Sequence, residues 1–112
     1  MAVTEAEAED LLRRDIEVFG QGVEKALGAS APATTGNQFA ALVSLAYNIG
    51  LGAFKTSSVL AAHKEGHTYK ASTCFRLWCE AGGRQMPGLA RRREAEAALY
   101  LRPDEKPEDR SA

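Results

Sequence analysis

This 112-residue sequence has no marked excess of positive or negative charge. Fourteen basic and fifteen acidic residues leave a net charge of -1, so no overall field favours nucleic acid or an anionic membrane. Apolar runs of the ~18 residues that a membrane helix needs are absent, and the acidic N-terminus lacks the apolar stretch of a secretory signal. We therefore expect one domain, no nucleic-acid or membrane partner, and a cytoplasmic location.

Cysteine is scarce as well, since Cys74 and Cys79 are the only two. On one predicted helix, a spacing of five residues would separate their Cα atoms by about 8–9 Å. A disulfide requires less than ~7 Å, so we expect two free thiols that act as small hydrophobic side chains. This excludes a disulfide-stapled mini-protein and is typical of a reducing compartment.

Signals for a metal or a cofactor are weak. His63 and His67 are four residues apart, which is the spacing of two zinc ligands on a helix, but Gly66 interrupts that helix and no third ligand is near. The sequence has no phosphate-binding loop, no dinucleotide fingerprint and no Ser-His-Asp grouping. We therefore expect neither a metal nor a cofactor.

Helical periodicity runs through nearly the whole chain, whereas no segment alternates convincingly at a period of two. The pattern predicts an all-α fold of about five helices around a buried central helix. Capping boxes begin the first helix at Thr4 and the second at Thr35. The second is apolar on nearly all sides and is therefore expected at the centre. The predicted helices span residues 4–27, 35–49, 57–64, 68–80 and 88–101.

The last ten residues hold six charges and no large apolar side chain. That composition is typical of a disordered tail. We therefore assign residues 1–102 to the helical domain and residues 103–112 to the tail.

The most unusual stretch follows the central helix. Asn48 ends that helix, Gly50 and Gly52 then turn the chain, and Phe54 and three hydroxyl residues come next. Backbone donors beside an amide, hydroxyls and an aromatic face would suit a neutral, hydroxyl-rich ligand such as a sugar. The structural alternative is that Asn48 caps its own helix and Phe54 belongs to the core.

Trp78 and Glu80 precede a second glycine turn. The indole of Trp78 could stack on a sugar ring, or it could be buried with its N–H hydrogen-bonded. Glu80 is the only carboxylate flanked by aromatic and small residues, which makes it a candidate acid, although most carboxylates lie on polar helix faces.

Three consecutive arginines in the last helix point about 100° apart, so they form no single basic patch. Their spacing predicts ion pairs between Arg92 and Glu96 and between Arg91 and Glu94, with at most one arginine in a structural role.

Several motifs, in the right order and at the right distances, resemble phage-type lysozymes of glycoside hydrolase family 24. The resemblance covers about residues 3–101. It is carried by residues 3–15 (VTEAEAEDLLRRD), 37–54 (NQFAALVSLAYNIGLGAF), 75–78 (FRLW), 81–83 (AGG) and 87–96 (PGLARRREAE).

The resemblance implies the helical C-terminal lobe of a lysozyme, which forms one wall of a saccharide cleft. It implies peptidoglycan as the substrate and cleavage of the β-1,4 bond between N-acetylmuramic acid and N-acetylglucosamine. The family's catalytic glutamate, with its aspartate or cysteine and its threonine, belongs to an N-terminal lobe that precedes the Val3-Thr4 segment. We therefore assign no catalytic residue and expect little activity from this chain alone.

Substrate-binding positions transfer residue by residue. Ser72 falls where some members have a glycan-contacting amide, and Glu80 falls where relatives often have a basic residue. The matching cleft positions are Tyr47 and Asn48 at the end of the central helix, Phe54 and Ser57 after the glycine turn, and Trp78.

Two alternatives to an enzyme that is active by itself stay open. The chain could be a glycan-binding or protein-interaction module, or a half-enzyme that another chain completes. Exposure of the first helix at Phe19 and Val23 would also favour self-association.

Overall fold

Helices make up most of the computed structural model, which describes residues 17–81 and 84–104, without the side chains of residues 80 and 81. Helix α1 is present over residues 17–27, and its predicted start at Thr4 lies outside the described residues. The elements that follow are a 3-10 helix, η1 (Gly28–Ala33), then α2 (Gly36–Ile49), α3 (Leu51–Lys55), α4 (Ser58–Lys64), α5 (Thr68–Phe75), β1 (Glu80–Ala81), β2 (Arg84–Gln85) and α6 (Pro87–Leu101). The predicted all-α class is confirmed.

Helix α2 is the central helix, as predicted. The Thr35 hydroxyl accepts from the Gln38 backbone N–H, and the Gln38 side chain accepts from the Thr35 N–H, which confirms the capping box. Helix α6 packs along α2, and α1, α4 and α5 complete the core. The fully buried large side chains of this core are Val23, Leu27, Leu42, Leu45, Phe54, Val59, Phe75 and Tyr100. The expected exposure of Val23 is therefore wrong, because this face of α1 packs on the core, and Phe19 is half-buried.

Several details differ from the sequence prediction. Helix α5 ends at Phe75 rather than near residue 80, so Cys79 lies beyond the helix that holds Cys74. Both cysteines are free, as expected. A two-residue antiparallel pair, with Glu80 opposite Gln85, replaces the end of the predicted helix. Two paired residues are too few to produce a recognisable alternation in sequence.

The glycine turn after α2 also differs. Gly50 has a φ of 93°, ends α2, and accepts from the Phe54 N–H, so it begins α3 immediately. Gly52 therefore lies inside a short helix and not in a turn. At five residues, α3 is too short to show a helical period, which explains why the sequence did not reveal it.

The first two residues of the predicted tail, Pro103 and Asp104, contact the start of α2. The carboxylate of Asp104 accepts from the backbone N–H groups of Gly36 and Asn37, at 2.6 and 2.7 Å. The Asn37 amide donates in turn to the carbonyls of Arg102 and Pro103. A carboxylate at a helix N-terminus satisfies free donors and complements the helix dipole. Residues 105–112 lie outside the described residues.

Within the described ranges, no helix is long and apolar enough to cross a membrane.

Candidate functional site

An open groove runs along one face of α2 and is walled by α6. Residues four apart on a helix share a face, and on α2 these are Phe39, Val43 and Tyr47. The groove has a volume of about 470 Å³ and a mostly apolar lining, completed by Ala40, Ser44 and Arg92. The sequence did not predict it, because a helix that is apolar on nearly all sides was expected to be covered all round.

Tyr47 and Asn48 lie at the end of α2, where this groove reaches the glycine turn. Tyr47 is 38% exposed, and Phe19 of α1 packs on its ring edge to face, with the centroids 5.3 Å apart. Asn48 is exposed as well. Both residues can therefore meet a ligand at the surface, and their role in binding stays a prediction.

Phe54 and Ser57 are buried. Phe54 is 0% exposed and belongs to the core, which was the structural alternative. Ser57 is the N-cap of α4: its hydroxyl accepts from the Leu60 N–H at 3.2 Å and donates to the Phe54 carbonyl at 2.7 Å. Neither side chain offers a free surface to a glycan, so both position the turn that follows Asn48.

The remaining candidates lie around the end of α5. Trp78 is half-buried, packs against the core, and accepts a long hydrogen bond on its carbonyl from Arg93 Nη1, at 3.5 Å. Ser72 is buried and donates to the Tyr69 carbonyl at 2.6 Å, so its hydroxyl is used within its own helix. Glu80 is the first residue of β1, and its side chain lies outside the described part of the chain.

A buried ionic network stands at the wall of the groove. Glu96 is 4% exposed and lies between two arginines, with Arg93 Nε at 2.7 Å and Arg92 Nε at 3.1 Å. The Ser44 hydroxyl of α2 donates to the same carboxylate at 2.5 Å. The network therefore ties α6 to α2, and the predicted pair of Arg92 and Glu96 is confirmed.

Arg93 is the structural arginine that the sequence allowed for, because it is 0% exposed. Burial lowers the pKa of Arg93, and the adjacent Glu96 carboxylate opposes that shift. The predicted partner of Glu94 was Arg91, but Glu94 pairs with Arg76 at the end of α5. The hydrogen bond between them lowers the pKa of Glu94 and raises the pKa of Arg76.

Metal-ligating side chains do not cluster in the described ranges: no group of three or more His, Cys, Asp or Glu could hold an ion there. His63 contacts Thr34 and Tyr100, whereas His67 faces Glu65 with a nitrogen–oxygen distance of 3.8 Å.

Comparison with known proteins points to one family. The family model described as phage lysozyme matches residues 1–96. The endolysin of Bacillus phage PZA is 49% identical over 98 residues, which are 88% of this chain and 37% of that protein. The SAR-endolysin of bacteriophage PS119 is 38% identical over 98 residues, or 57% of its length. The chain thus spans about a third to three-fifths of these relatives.

Two solved structures share the fold. The muramidase domain of SpmX from Asticaccaulis excentricus superimposes with a TM-score of 0.80 at 36% identity, over 90% of this chain and 69% of that one. The endolysin of Escherichia coli O157:H7 phage FAHEc1 gives a TM-score of 0.79 at 35% identity, over 90% and 65%. The fold inferred from the sequence motifs is therefore confirmed.

Proposed function

Because the chain belongs to the phage lysozyme family, we propose that it takes part in the hydrolysis of peptidoglycan, as a portion of an endolysin. The bond cleaved is the β-1,4 linkage between N-acetylmuramic acid and N-acetylglucosamine. The observation that carries this proposal is the family match over residues 1–96, supported by the likeness to a muramidase domain at a TM-score of 0.80.

We infer that the catalytic acid is not among the carboxylates whose side chains the structure describes. Cleavage of a glycosidic bond needs a carboxylic acid near the leaving oxygen, with a pKa raised by its surroundings. The acidic side chains that the structure describes are either exposed or held by donors. Exposed ones are Glu17, Glu24 and Glu65; held ones are Glu94, Glu96 and Asp104. None of these described carboxylates has the environment of a general acid, so the proposed role of the described residues is to form a substrate-binding wall.

Tyr47 and Asn48 are the residues of that wall that contact sugar. The exposed edge of an aromatic ring can pack on a pyranose face, and an exposed amide can pair with an acetamido group. A single wall encloses little of a ligand, so the affinity for a short glycan is expected in the millimolar range.

Titration of the protein with a tetramer of N-acetylglucosamine, followed by NMR, tests this contact. Shifts should be largest at the end of α2, and Asn48→Ala should weaken binding about 3–10-fold through the loss of one hydrogen bond. Gln21→Ala removes an exposed amide from α1 and is the matched control. Shifts confined to another surface, or equal losses in both variants, would contradict the proposal.

The half-enzyme alternative is favoured by one observation, the open apolar face of α2. A lysozyme fold would cover this face with its remaining portion, on the same polypeptide or on another. Turbidity of chloroform-permeabilised Gram-negative cells tests this reading. The chain alone, at micromolar concentration, should cause no lysis. The same chain fused to the part of the FAHEc1 endolysin that it does not match should lyse the cells.

Glu80→Gln separates the two sources of acid. Lysis by the chain alone that Glu80→Gln abolishes would identify a catalytic acid within this sequence and overturn the half-enzyme reading. Lysis by the fusion that survives Glu80→Gln supports an acid supplied by the added portion.

A further inference from the structure

Three elements meet at one imidazole on the side of the molecule that includes α4. The ring of His63 in α4 is hydrogen-bonded through Nε2 to Thr34 Oγ1 at 2.8 Å and through Nδ1 to the Tyr100 hydroxyl at 2.5 Å. Thr34 follows η1, and Tyr100 belongs to α6. Tyr100 is 1% exposed and packs against Phe75, with the ring centroids 5.4 Å apart.

The direction of each hydrogen bond in this series follows from the Thr34 hydroxyl. The Thr34 hydroxyl donates its proton to the Ser30 carbonyl at 2.9 Å, so its oxygen accepts from His63 Nε2–H. A neutral imidazole has one N–H, which leaves Nδ1 as an acceptor for the Tyr100 proton. Each proton in this arrangement therefore has one acceptor, and His63 must be the neutral Nε2–H tautomer.

A second proton on His63 would break this order. It would sit on Nδ1 and face the hydroxyl of Tyr100, whose own proton would then lack an acceptor in a buried position. Burial also raises the pKa of Tyr100 to about 12, so the phenol does not ionise to accept it. Burial also favours the neutral form of His63 and lowers the pKa of its imidazole.

The described residues that surround His63 offer no compensating negative charge. A cavity of about 270 Å³ lies beside the ring, lined by Ser30 and Ala33 of η1, Gln38 of α2, and Lys64, Gly66 and Thr68. Lys64 is the only charged residue among these described lining residues, because His63 is neutral. Glu65 faces His67 instead. An imidazolium ring can become hydrated by turning into this cavity, but it then loses both Thr34 and Tyr100.

The segment that depends on this contact is η1. It has no buried side chain and contains Pro32. Its two ends are held by buried Leu27 and by the capping box of Thr35. Between them, half-buried Ala31 packs against the core and the Ser30 hydroxyl donates to the nearby Leu27 carbonyl, so the Thr34–His63 bond is the described side-chain hydrogen bond that ties this segment to another helix. Loss of that tie frees η1 while the packing of α2 on α6 stays in place.

We propose that Thr34, His63 and Tyr100 form an acid-operated latch: protonation of His63 releases η1 (Gly28–Ala33) from α4 and α6 without unfolding the core. The latch is independent of catalysis, and it would hold equally if the proposed function failed.

The direction of the pH dependence follows from linkage. The unfolded or released state binds the proton at the ordinary pKa near 6.5, whereas the latched state binds it only at lower pH. The stabilising effect of the latch is therefore complete above about pH 6.5 and is lost as the pH falls through the lowered pKa of His63. The opening equilibrium of η1 should rise about tenfold for each unit by which that pKa is depressed.

NMR on the unmodified protein tests the latch directly. The ¹⁵N shifts of the His63 imidazole should identify it as the Nε2–H tautomer and should show that its pKa lies below the ordinary value near 6.5. Amide hydrogen exchange should show that protection falls between pH 7.5 and 5 in residues 28–34 but not in α2. An Nδ1–H tautomer, a His63 pKa at or above the ordinary value near 6.5, or constant protection of residues 28–34 would overturn the proposal.

Two substitutions separate the latch from a general effect of pH. The His63→Gln side chain can accept from Tyr100 and donate to Thr34 but does not titrate, so protection of residues 28–34 should become independent of pH. His67→Gln makes the same change at an exposed site and should leave the pH dependence intact. Persistence of the pH dependence in His63→Gln would also overturn the proposal, and the measurements on unmodified protein stand even if that variant folds poorly.

Discussion

Glu96 shows which residue-level contacts the sequence could predict and which it could not. Its pair with Arg92 follows from the spacing of four residues on one helix. The burial of Arg93 does not follow from spacing, because three consecutive arginines sample three directions. Only the packing of α6 against α2 and against the Trp78 carbonyl decides which guanidinium is enclosed.

Removal of the Glu96 charge should strongly destabilise the protein. Glu96→Gln keeps the shape of the side chain but leaves Arg93 buried without its counter-ion, so we expect the free energy of unfolding to fall by about 3–5 kcal/mol. Urea denaturation at neutral pH measures this. Glu94 lies on the same helix as Glu96 but pairs with Arg76 at the surface. Glu94→Gln should therefore have little effect on the free energy of unfolding. Equal losses in the two variants would show that the buried network does not depend on the charge of Glu96.

The five candidate glycan contacts divide according to burial. Tyr47 and Asn48 are exposed and Trp78 is half-buried, whereas Phe54 and Ser57 are enclosed by elements that pack on them from elsewhere in the chain. A motif gives the order of residue types along a turn, but exposure depends on which neighbouring helices cover the turn. The sequence therefore predicts a region for glycan contact but not which of its side chains reach the surface.

At the scale of elements, long helices were predictable and short ones were not. Helices α2, α4 and α6 begin and end within one residue of the sequence-based prediction, because caps, glycines and prolines mark their ends. Helix α3 and the strand pair that begins at Glu80 span too few residues to carry a period. Both are fixed by the elements on either side of them.

Replacement by alanine should change the stability of the protein in opposite directions at Gly50, before α3, and at Gly52, within it. Gly50 has a φ of 93° and a ψ of 148°, a region that L-residues avoid, so Gly50→Ala should cost about 1–3 kcal/mol. Gly52 lies within α3 with no atom near the position of an added Cβ, so Gly52→Ala should stabilise the protein by up to about 1 kcal/mol. Thermal unfolding of both variants measures the difference. A stabilised Gly50→Ala variant would contradict the conformation of the turn.

At the scale of the whole molecule, the central helix was expected to be buried on every side. The described residues cover only part of it: Ala40 and Tyr47 are exposed, and Phe39 and Val43 are half-buried. About a third of each of the two solved relatives lies outside the match, since this protein covers 69% and 65% of them. An apolar face left open beside a buried core is typical of a surface that another segment covers.

Matched substitutions at two exposed alanines test whether such a segment covers the groove. In the chain as it stands, Ala40→Arg in the groove and Ala98→Arg on the outer face of α6 should each change the free energy of unfolding by less than about 0.5 kcal/mol. In a fusion with the part of the FAHEc1 endolysin that this chain does not match, Ala40→Arg should lower the free energy of unfolding by about 1–3 kcal/mol, because a large side chain would be forced into a closed interface. Ala98→Arg should remain neutral there. A neutral Ala40→Arg in the fusion would mean that the groove stays open to solvent when the fold is complete, and its apolar lining would then need another occupant.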